Sequence, residues 1–177
     1  MSEAITARST RPRADEHAPY YAAYVARVPD GDVVESLERQ GQETLAMLRA
    51  LPEGSGAHRY AEGKWTVREV LGHMCDTERV FAYRLMRFAR NDETDLPGFD
   101  ENLFVANGSF EQRTLGSLCD EFAAVRAATL HLLRSLTAAE WERGGTANRA
   151  RATVRAIAWI TAGHERHHVA ILRERYL

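Results

Sequence analysis

The stretch that decides the fold is residues 66–88, which read TVREVLGHMCDTERVFAYRLMRF. Thr66 and Glu69 have the S/T-x-x-E spacing of a helix capping box, so the sequence predicts a helix that starts here. Apolar or small side chains then recur every three or four residues along one face, at Val70, Met74, Thr77, Phe81, Leu85 and Phe88. We therefore expect a long amphipathic helix that ends near Asn91 and buries one face.

Three other stretches show the same helical periodicity, at about residues 32–51, 115–136 and 153–176. A second capping box, Thr137 to Glu140, predicts a short extra helix through Trp141, which Gly144 and Gly145 end. No segment shows the alternation of a β-strand, and residues 92–108 are typical of a connection. The sequence predicts an all-α four-helix bundle with long connections, at least one of them a crossover.

The length of 177 residues suits one domain. Residues 1–18 are polar without periodicity, so we expect a flexible N-terminal arm, followed by a single domain over residues 19–177. The tyrosine-rich segment 20–28 is expected to pack over one end of the bundle. The two cysteines, Cys75 and Cys119, are not in a C-x-x-C pair and are expected to be buried free thiols.

Composition excludes several classes of protein. The formal net charge is −2 and the isoelectric point is near 6.4, so no basic excess is available for nucleic-acid binding. No apolar run approaches the length of a membrane span, which argues against a membrane partner. The N-terminus lacks the apolar segment of a secretory signal, and a cytoplasmic location is the default expectation.

The candidate chemistry lies in residues 163–168, which read GHERHH. On a helix, His164 and His168 are one turn apart and project from the same face, where they can bind one metal ion. The pair His164 and His167 is also geometrically suitable, so spacing alone leaves His167 and His168 as alternatives. The letters also match H-E-x-x-H, with Glu165 as the general base of a metalloprotease. That alternative ranks lower because no third ligand can follow so near the C-terminus and no strand-rich half is visible.

His73 supplies a third candidate ligand upstream. It lies beside the apolar stripe of the second helix, where an unpaired imidazole would cost about 1–3 kcal/mol on burial. Gly72 and Gly163 are unusual inside helices and could allow close helix approach or ligand access. Taken alone, His73 could equally be a hydrogen-bonded core residue. His164 and His168, taken alone, could equally belong to a solvent-exposed polar face. Three neutral imidazoles on two helices would leave coordination positions open, as in catalytic metal sites.

The elements WTVREVLGH (residues 65–73) and GHERHH resemble those of the DinB-like superfamily of bacterial metal-binding four-helix bundles, and the resemblance extends from about Tyr20 to the C-terminus. It implies that His73, His164 and His168 are the ligands and that His167 is not. It also implies a homodimer and one divalent ion, zinc first, with nickel, iron or manganese as alternatives. Several members are S-transferases or isomerases that use a low-molecular-weight thiol such as bacillithiol or mycothiol. The family's usual Arg-Gly-Gln-Ile is replaced here by Val169-Ala-Ile-Leu172.

The leading expectation is therefore a thiol-dependent S-transferase that acts on a small electrophile through a metal-activated thiolate. One alternative is a metal-dependent hydrolase that uses metal-bound water, and another is a non-enzymatic, metal-stabilised binding module. Three carboxylates are candidate catalytic groups. Asp76 is expected to orient His73 by a hydrogen bond, Glu165 to support the site or act as a base, and Glu78 to contribute nearby.

Overall fold

A computed structural model describes residues 3–177. The α-helices are α1 (Glu3–Ser9), α2 (Ala22–Val25), α3 (Val33–Arg49), α4 (Val67–Ala89), α5 (Glu101–Asn107), α6 (Leu115–Arg134), α7 (Ala138–Glu142) and α8 (Val154–Ile171). Helix α8 continues into a π-helical turn, Leu172–Tyr176. Single 3-10 turns lie at Ala14–Glu16, Pro19–Tyr21, Glu53–Ala57 and Phe110–Gln112. Two strands, β1 (Gly144–Ala147) and β2 (Ala150–Thr153), separate α7 from α8.

The four long helices α3, α4, α6 and α8 form the bundle. Helix α3 packs against α6 and α8, and α4 packs against the same two helices. Consecutive helices α3 and α4 are therefore diagonal to each other, and residues 50–66 cross one end of the bundle to join them. This arrangement confirms the predicted four-helix bundle with a crossover connection. No helix in residues 3–177 combines the length and apolar character that a membrane crossing requires.

Helix α4 begins where the sequence predicts. The Thr66 side chain accepts a hydrogen bond from the backbone N–H of Glu69, and the Glu69 carboxylate accepts one from the N–H of Thr66. This reciprocal pair satisfies two donors that a helix start leaves free. At the other end the backbone leaves the helix at Asn91, whose φ of 60° is left-handed.

The β-hairpin corrects the expectation that the chain contains no strands. Gly144 pairs with Thr153 and Ala147 with Ala150 in an antiparallel ladder. Asn148 and Arg149 form the two-residue turn with φ values of 51° and 63°, as tight hairpins favour. Each strand has only four residues, mostly glycine, alanine and threonine, so no alternating apolar pattern could reveal it.

The N-terminal segment also differs from the expected flexible arm over the described residues 3–18. Helix α1 packs against α7 and buries Ala7. Glu16 is only 2% exposed and pairs with Arg155 at 3.0 Å, while Thr153 donates a hydrogen bond to its carboxylate. The buried Glu16 thus has specific partners in the bundle, and polarity alone does not distinguish such a residue from one in an exposed arm.

The core consists of two apolar clusters with a buried polar layer between them. The first cluster includes Trp141, Trp159 and the ends of the long helices near Leu37, Leu85 and Leu133. The second surrounds Leu48, Leu71, Leu118 and Phe122 and contains Cys75 and Cys119, which are both buried and free as predicted. Each long helix contributes a polar residue midway between the clusters: Gln40 and Thr44 from α3, Glu78 from α4, Arg126 from α6 and Glu165 from α8.

Candidate metal centre

Three histidines meet between α4 and α8. The Nε2 atom of His73 lies 3.0 Å from that of His164 and 3.2 Å from that of His168. The Nε2 atoms of His164 and His168 are 3.1 Å apart. One turn of α8 separates the last two residues, and the packing of α4 against α8 brings His73 to them. The structure thus brings together the three imidazoles that the sequence singled out.

His167 lies outside this group. Its ring is half-buried and makes edge contacts with Tyr24, at 5.3 Å between centroids, and with His168, at 5.0 Å. The described residues contain one group of three or more potential metal-ligating side chains, and His167 is not a member. Of the two spacings that the sequence left open, i to i+4 is the one that converges with His73.

Two glycines explain how neighbouring segments come close to the histidines. A Cβ atom on Gly163 would overlap the carbonyl group of Tyr24, so glycine lets the short helix α2 pack directly on α8 beside His164. A Cβ atom on Gly72 would overlap the ring of Phe110 next to His73. Of the two expectations, close helix approach or ligand access, the structure shows close approach of a helix at Gly163 and of an aromatic ring at Gly72. The contact at Gly163 places the Tyr24 ring 5.7 Å from that of His164.

Burial keeps the three imidazoles neutral. Burial, and to a smaller extent the charge of His167, lowers the pKa of His73 to about 4. The pKa values of His164 and His168 both fall well below 6.5. Burial is again the main cause, and the neighbouring histidines are the next one. Neutral imidazoles present lone pairs, which is the form that binds a metal ion.

The donor set fits a divalent metal ion. Each neutral imidazole carries one N–H, so no choice of tautomers turns all three Nε2 contacts into proper hydrogen bonds. Three nitrogens bound tetrahedrally to one ion at 2.0–2.1 Å would be about 3.3 Å apart, close to the separations of 3.0–3.2 Å found here. Thr77 lies behind His73, with its Oγ1 3.4 Å from Nδ1.

A cleft of about 470 Å³ opens above the histidines. Its walls are largely aromatic, and the rings come from α2 and the turn before it, from α4 and from two connections: Tyr20, Tyr21, Tyr24, Trp65, Phe81 and Phe99. The Trp65 ring lies 4.8 Å from His73 and the Phe81 ring 5.9 Å from His164, between centroids. The hairpin turn and Arg84 line the same cleft. Such a cavity is of the size that small-molecule sites have.

The two acidic candidates on α4 do not reach the histidines. Asp76 forms a partly exposed ion pair with Arg79 at 3.3 Å, and Thr77 occupies the position behind His73 that Asp76 was expected to take. Glu78 is buried, and both its carboxylate oxygens accept hydrogen bonds from Arg126, at 2.9 and 2.7 Å. Glu78 is five residues after His73 and therefore points to another face of α4. Asp76 is only about one turn after His73, but its carboxylate pairs with Arg79 on the partly exposed side of the helix.

Glu165 is turned away from the three histidines as well. Its carboxylate accepts hydrogen bonds from Thr44, at 2.7 Å, and from Gln40, and it pairs with Arg126 at 2.8 Å. It belongs to the polar layer inside the bundle, whereas His164 faces the cleft. The H-E-x-x-H letters are therefore present without the geometry of a metalloprotease, in which the glutamate would face the same ion.

Sequence reasoning missed most of the cleft. Phe81 and Arg84 could have been found, because they lie eight and eleven residues after His73 and share its face of α4. For Tyr24 the sequence predicts only that its segment packs over one end of the bundle, and nothing in the sequence indicates the hairpin turn that also lines the cleft. The remaining histidines, His17, His58 and His131, are not members of the group of three.

Comparison with known proteins agrees with this architecture. No curated protein sequence matches the chain. Among solved structures, the fold is similar to that of YfiT from Bacillus subtilis, described as a probable metal-dependent hydrolase with an unusual four-helix bundle topology. That match has a TM-score of 0.69 and 17% sequence identity, and covers 98% of this chain and 95% of the other. The sequence profile of the DinB superfamily matches residues 36–172, and the chain therefore belongs to that superfamily.

Proposed function

We propose that this protein is a divalent-metal-dependent enzyme that transfers the sulfur of a small thiol to an electrophilic small molecule. The observation that carries the proposal is the set of three neutral imidazole nitrogens, 3.0–3.2 Å apart, at the base of an aromatic cleft. His73, His164 and His168 would hold the ion, for which zinc is the first choice and nickel, iron or manganese are alternatives. When bound, the ion supplies positive charge and an open coordination position, which favour a thiolate over a thiol.

The surroundings of the histidines favour a thiol as the nucleophile. Within residues 3–177, no carboxylate oxygen joins the three nitrogens within 4.8 Å of one another, and Glu165 is fixed elsewhere. A bound metal ion would lower the pKa of water to about 7, and an H-E-x-x-H hydrolase adds a carboxylate base, which the surroundings described here do not supply. A thiol has a pKa of about 8.5, so positive charge alone suffices to deprotonate it near neutral pH.

The cleft residues would bind and shield the reactants. Trp65 and Phe81 flank the histidines and exclude water from them. Burial raises the pKa of Tyr24, so its hydroxyl stays protonated and can donate a hydrogen bond to the substrate. In the transfer, sulfur forms the new bond to carbon, the leaving group departs with the bonding electron pair, and the thiol proton passes to solvent.

A thiol panel assayed with an activated aryl halide tests this proposal. Zinc-loaded protein should accelerate release of halide from chlorodinitrobenzene with at least one small thiol. His73→Ala should lose that acceleration, while the exposed-site variant His131→Gln should keep it. Equal rates for the wild type and His73→Ala with every thiol would contradict the proposal.

Hydrolysis is the second candidate, and the description of YfiT as a probable metal-dependent hydrolase favours it. Under this alternative, zinc-loaded protein cleaves nitrophenyl esters without any thiol and His73→Ala does not. A protein that binds metal and is inactive in both assays would instead be a metal-stabilised binding module.

A further inference from the structure

Arg84 is a buried cation at the far end of the cleft. It lies on α4 eleven residues after His73, about three helical turns along the same face. Thr77 and Phe81 lie between them on that face and line the same cavity. Only 5% of the Arg84 surface is exposed, yet it contributes to the cavity wall.

Arg84 differs from the other buried arginines in its partners. Arg126 is paired with Glu78 and Glu165, and Arg155 with Glu16 and Glu142. The Arg84 guanidinium donates one hydrogen bond, at 2.9 Å, to the carbonyl oxygen of Pro97. Within residues 3–177 it has no carboxylate partner at ion-pair distance. A buried charge without a counter-charge is costly, and a ligand anion would remove that cost.

The groups around Arg84 suit a single negative charge. Tyr21 lies beside it, and burial keeps the Tyr21 hydroxyl protonated and able to donate, although Arg84 acts in the opposite direction on its pKa. Arg84 is the one arginine or lysine among the residues that line the cleft within the described chain. Glu101 also lines the cleft, but its side chain is exposed to solvent. One cation with a nearby acid favours a carboxylate over a dianionic phosphate.

We propose that Arg84 binds a carboxylate group of the substrate, at the opposite end of the cleft from the three histidines. This inference rests on the proposed function, because it specifies the class of molecule that occupies the same cleft. Eleven residues of helix span about 16 Å. The substrate must therefore be long enough to reach from the three histidines towards Arg84, and its chain length should affect its affinity.

Calorimetric titration of zinc-loaded protein with two matched series of probes tests this inference. One series is phenylalkyl carboxylates of increasing chain length, and the other is the corresponding primary amides. At the best length the carboxylate should bind about ten- to a hundredfold more tightly than the amide. Arg84→Gln should remove this preference, and Arg84→Lys should retain part of it.

The control variant is Arg90→Gln, which removes the same charge from an exposed pair with Glu140 and should keep the preference. Equal affinity for acid and amide at every length in the wild type would overturn the inference without requiring any variant to fold. The inference would also be overturned if folded Arg84→Gln kept the preference for the acid. The same holds if metal-free His73→Ala were the one variant that lost this preference. An Arg84-dependent preference in a protein inactive in the thiol and ester assays would support the carboxylate site while the proposed function fails.

Discussion

His73, His164 and His168 are buried side by side without a counter-charge from the described residues. Burial lowers the pKa of each, so the folded protein without metal resists protonation that the unfolded chain accepts. The unfolded chain binds more protons than the folded one between the unfolded pKa, about 6.5, and the lowered folded values. Stability must therefore fall as the pH falls below about 6.5.

This linkage predicts the pH dependence of the metal-free protein. Its free energy of unfolding, measured by urea denaturation, should be nearly constant above pH 7 and decrease from pH 6.5 towards pH 4. Each histidine contributes up to about 1.4 kcal/mol per pH unit. His73→Gln removes one of these groups and should show a shallower decrease. A decrease as steep as that of the wild type would show that His73 is not the cause.

At this scale the sequence predicted the histidines better than their neighbours. Helical spacing and two family elements suffice to select His73, His164 and His168 from seven histidines. The roles of Asp76, Glu78 and Glu165 could not be predicted in the same way. The partners of Glu78 and Glu165, Arg126 and Thr44, lie on other helices and are known only once the helices pack. Asp76 pairs with Arg79 of its own helix, and sequence alone does not show that this pair forms instead of a contact with His73.

Among the elements, α2 packs on α8 at a glycine, Gly163. Gly163 lets the backbone of α2 contact α8 at Tyr24, and Tyr24 in turn borders His164 and His167. A larger residue at this point would push α2 away from the bundle and widen the cleft. The contact between Gly163 and Tyr24 therefore keeps α2 packed on α8, and it also positions one wall of the candidate site.

Gly163→Ala should destabilise the protein by about 1–3 kcal/mol in urea denaturation, because the new methyl group has no space. Gly116→Ala is the matched control, since its Cβ would meet only the Thr114 hydroxyl at 4.0 Å. Glycine weakens a helix by about 1 kcal/mol relative to alanine, so this control should be neutral or stabilising. If Gly163→Ala were as stable as Gly116→Ala, α2 would not be packed as described.

The elements also show which local signals are readable. The helix starts at Thr66 and Thr137 were predicted correctly, because a capping box is complete within four residues. The hairpin at residues 144–153 was not predicted, because the residue types of its strands do not indicate a strand. The strands are stabilised by backbone hydrogen bonds to Leu96 and by packing on Phe88. Information of that kind lies outside the local sequence.

In the whole molecule, the polar layer joins all four long helices. Arg126 on α6 pairs with Glu78 on α4 and Glu165 on α8, and it donates to the Leu37 carbonyl oxygen on α3 at 2.7 Å. These partners satisfy the buried charges, and removal of one leaves another without its full set. Its member on α8, Glu165, is bonded to Thr44 and Arg126, whereas His164 on the same helix lines the cleft.

Glu165→Gln should therefore reduce stability and leave metal binding intact. We expect a loss of about 3 kcal/mol in the free energy of unfolding, because one buried partner of Arg126 is removed. Glu174→Gln, at an exposed position in the π-helical turn, should change it by less than about 0.5 kcal/mol. Loss of metal without loss of stability in Glu165→Gln would instead place this glutamate at the metal site.

The central claim is that one metal ion is held by His73, His164 and His168 and not by His167. Its most direct test is the metal content, by elemental analysis, of protein purified without a metal-affinity tag and loaded with zinc. The wild type and His167→Ala should each bind one ion per chain with similar affinity. His168→Ala should lose it, with an affinity weakened by about a hundredfold or more. Full retention in His168→Ala, or loss in His167→Ala, would contradict the claim.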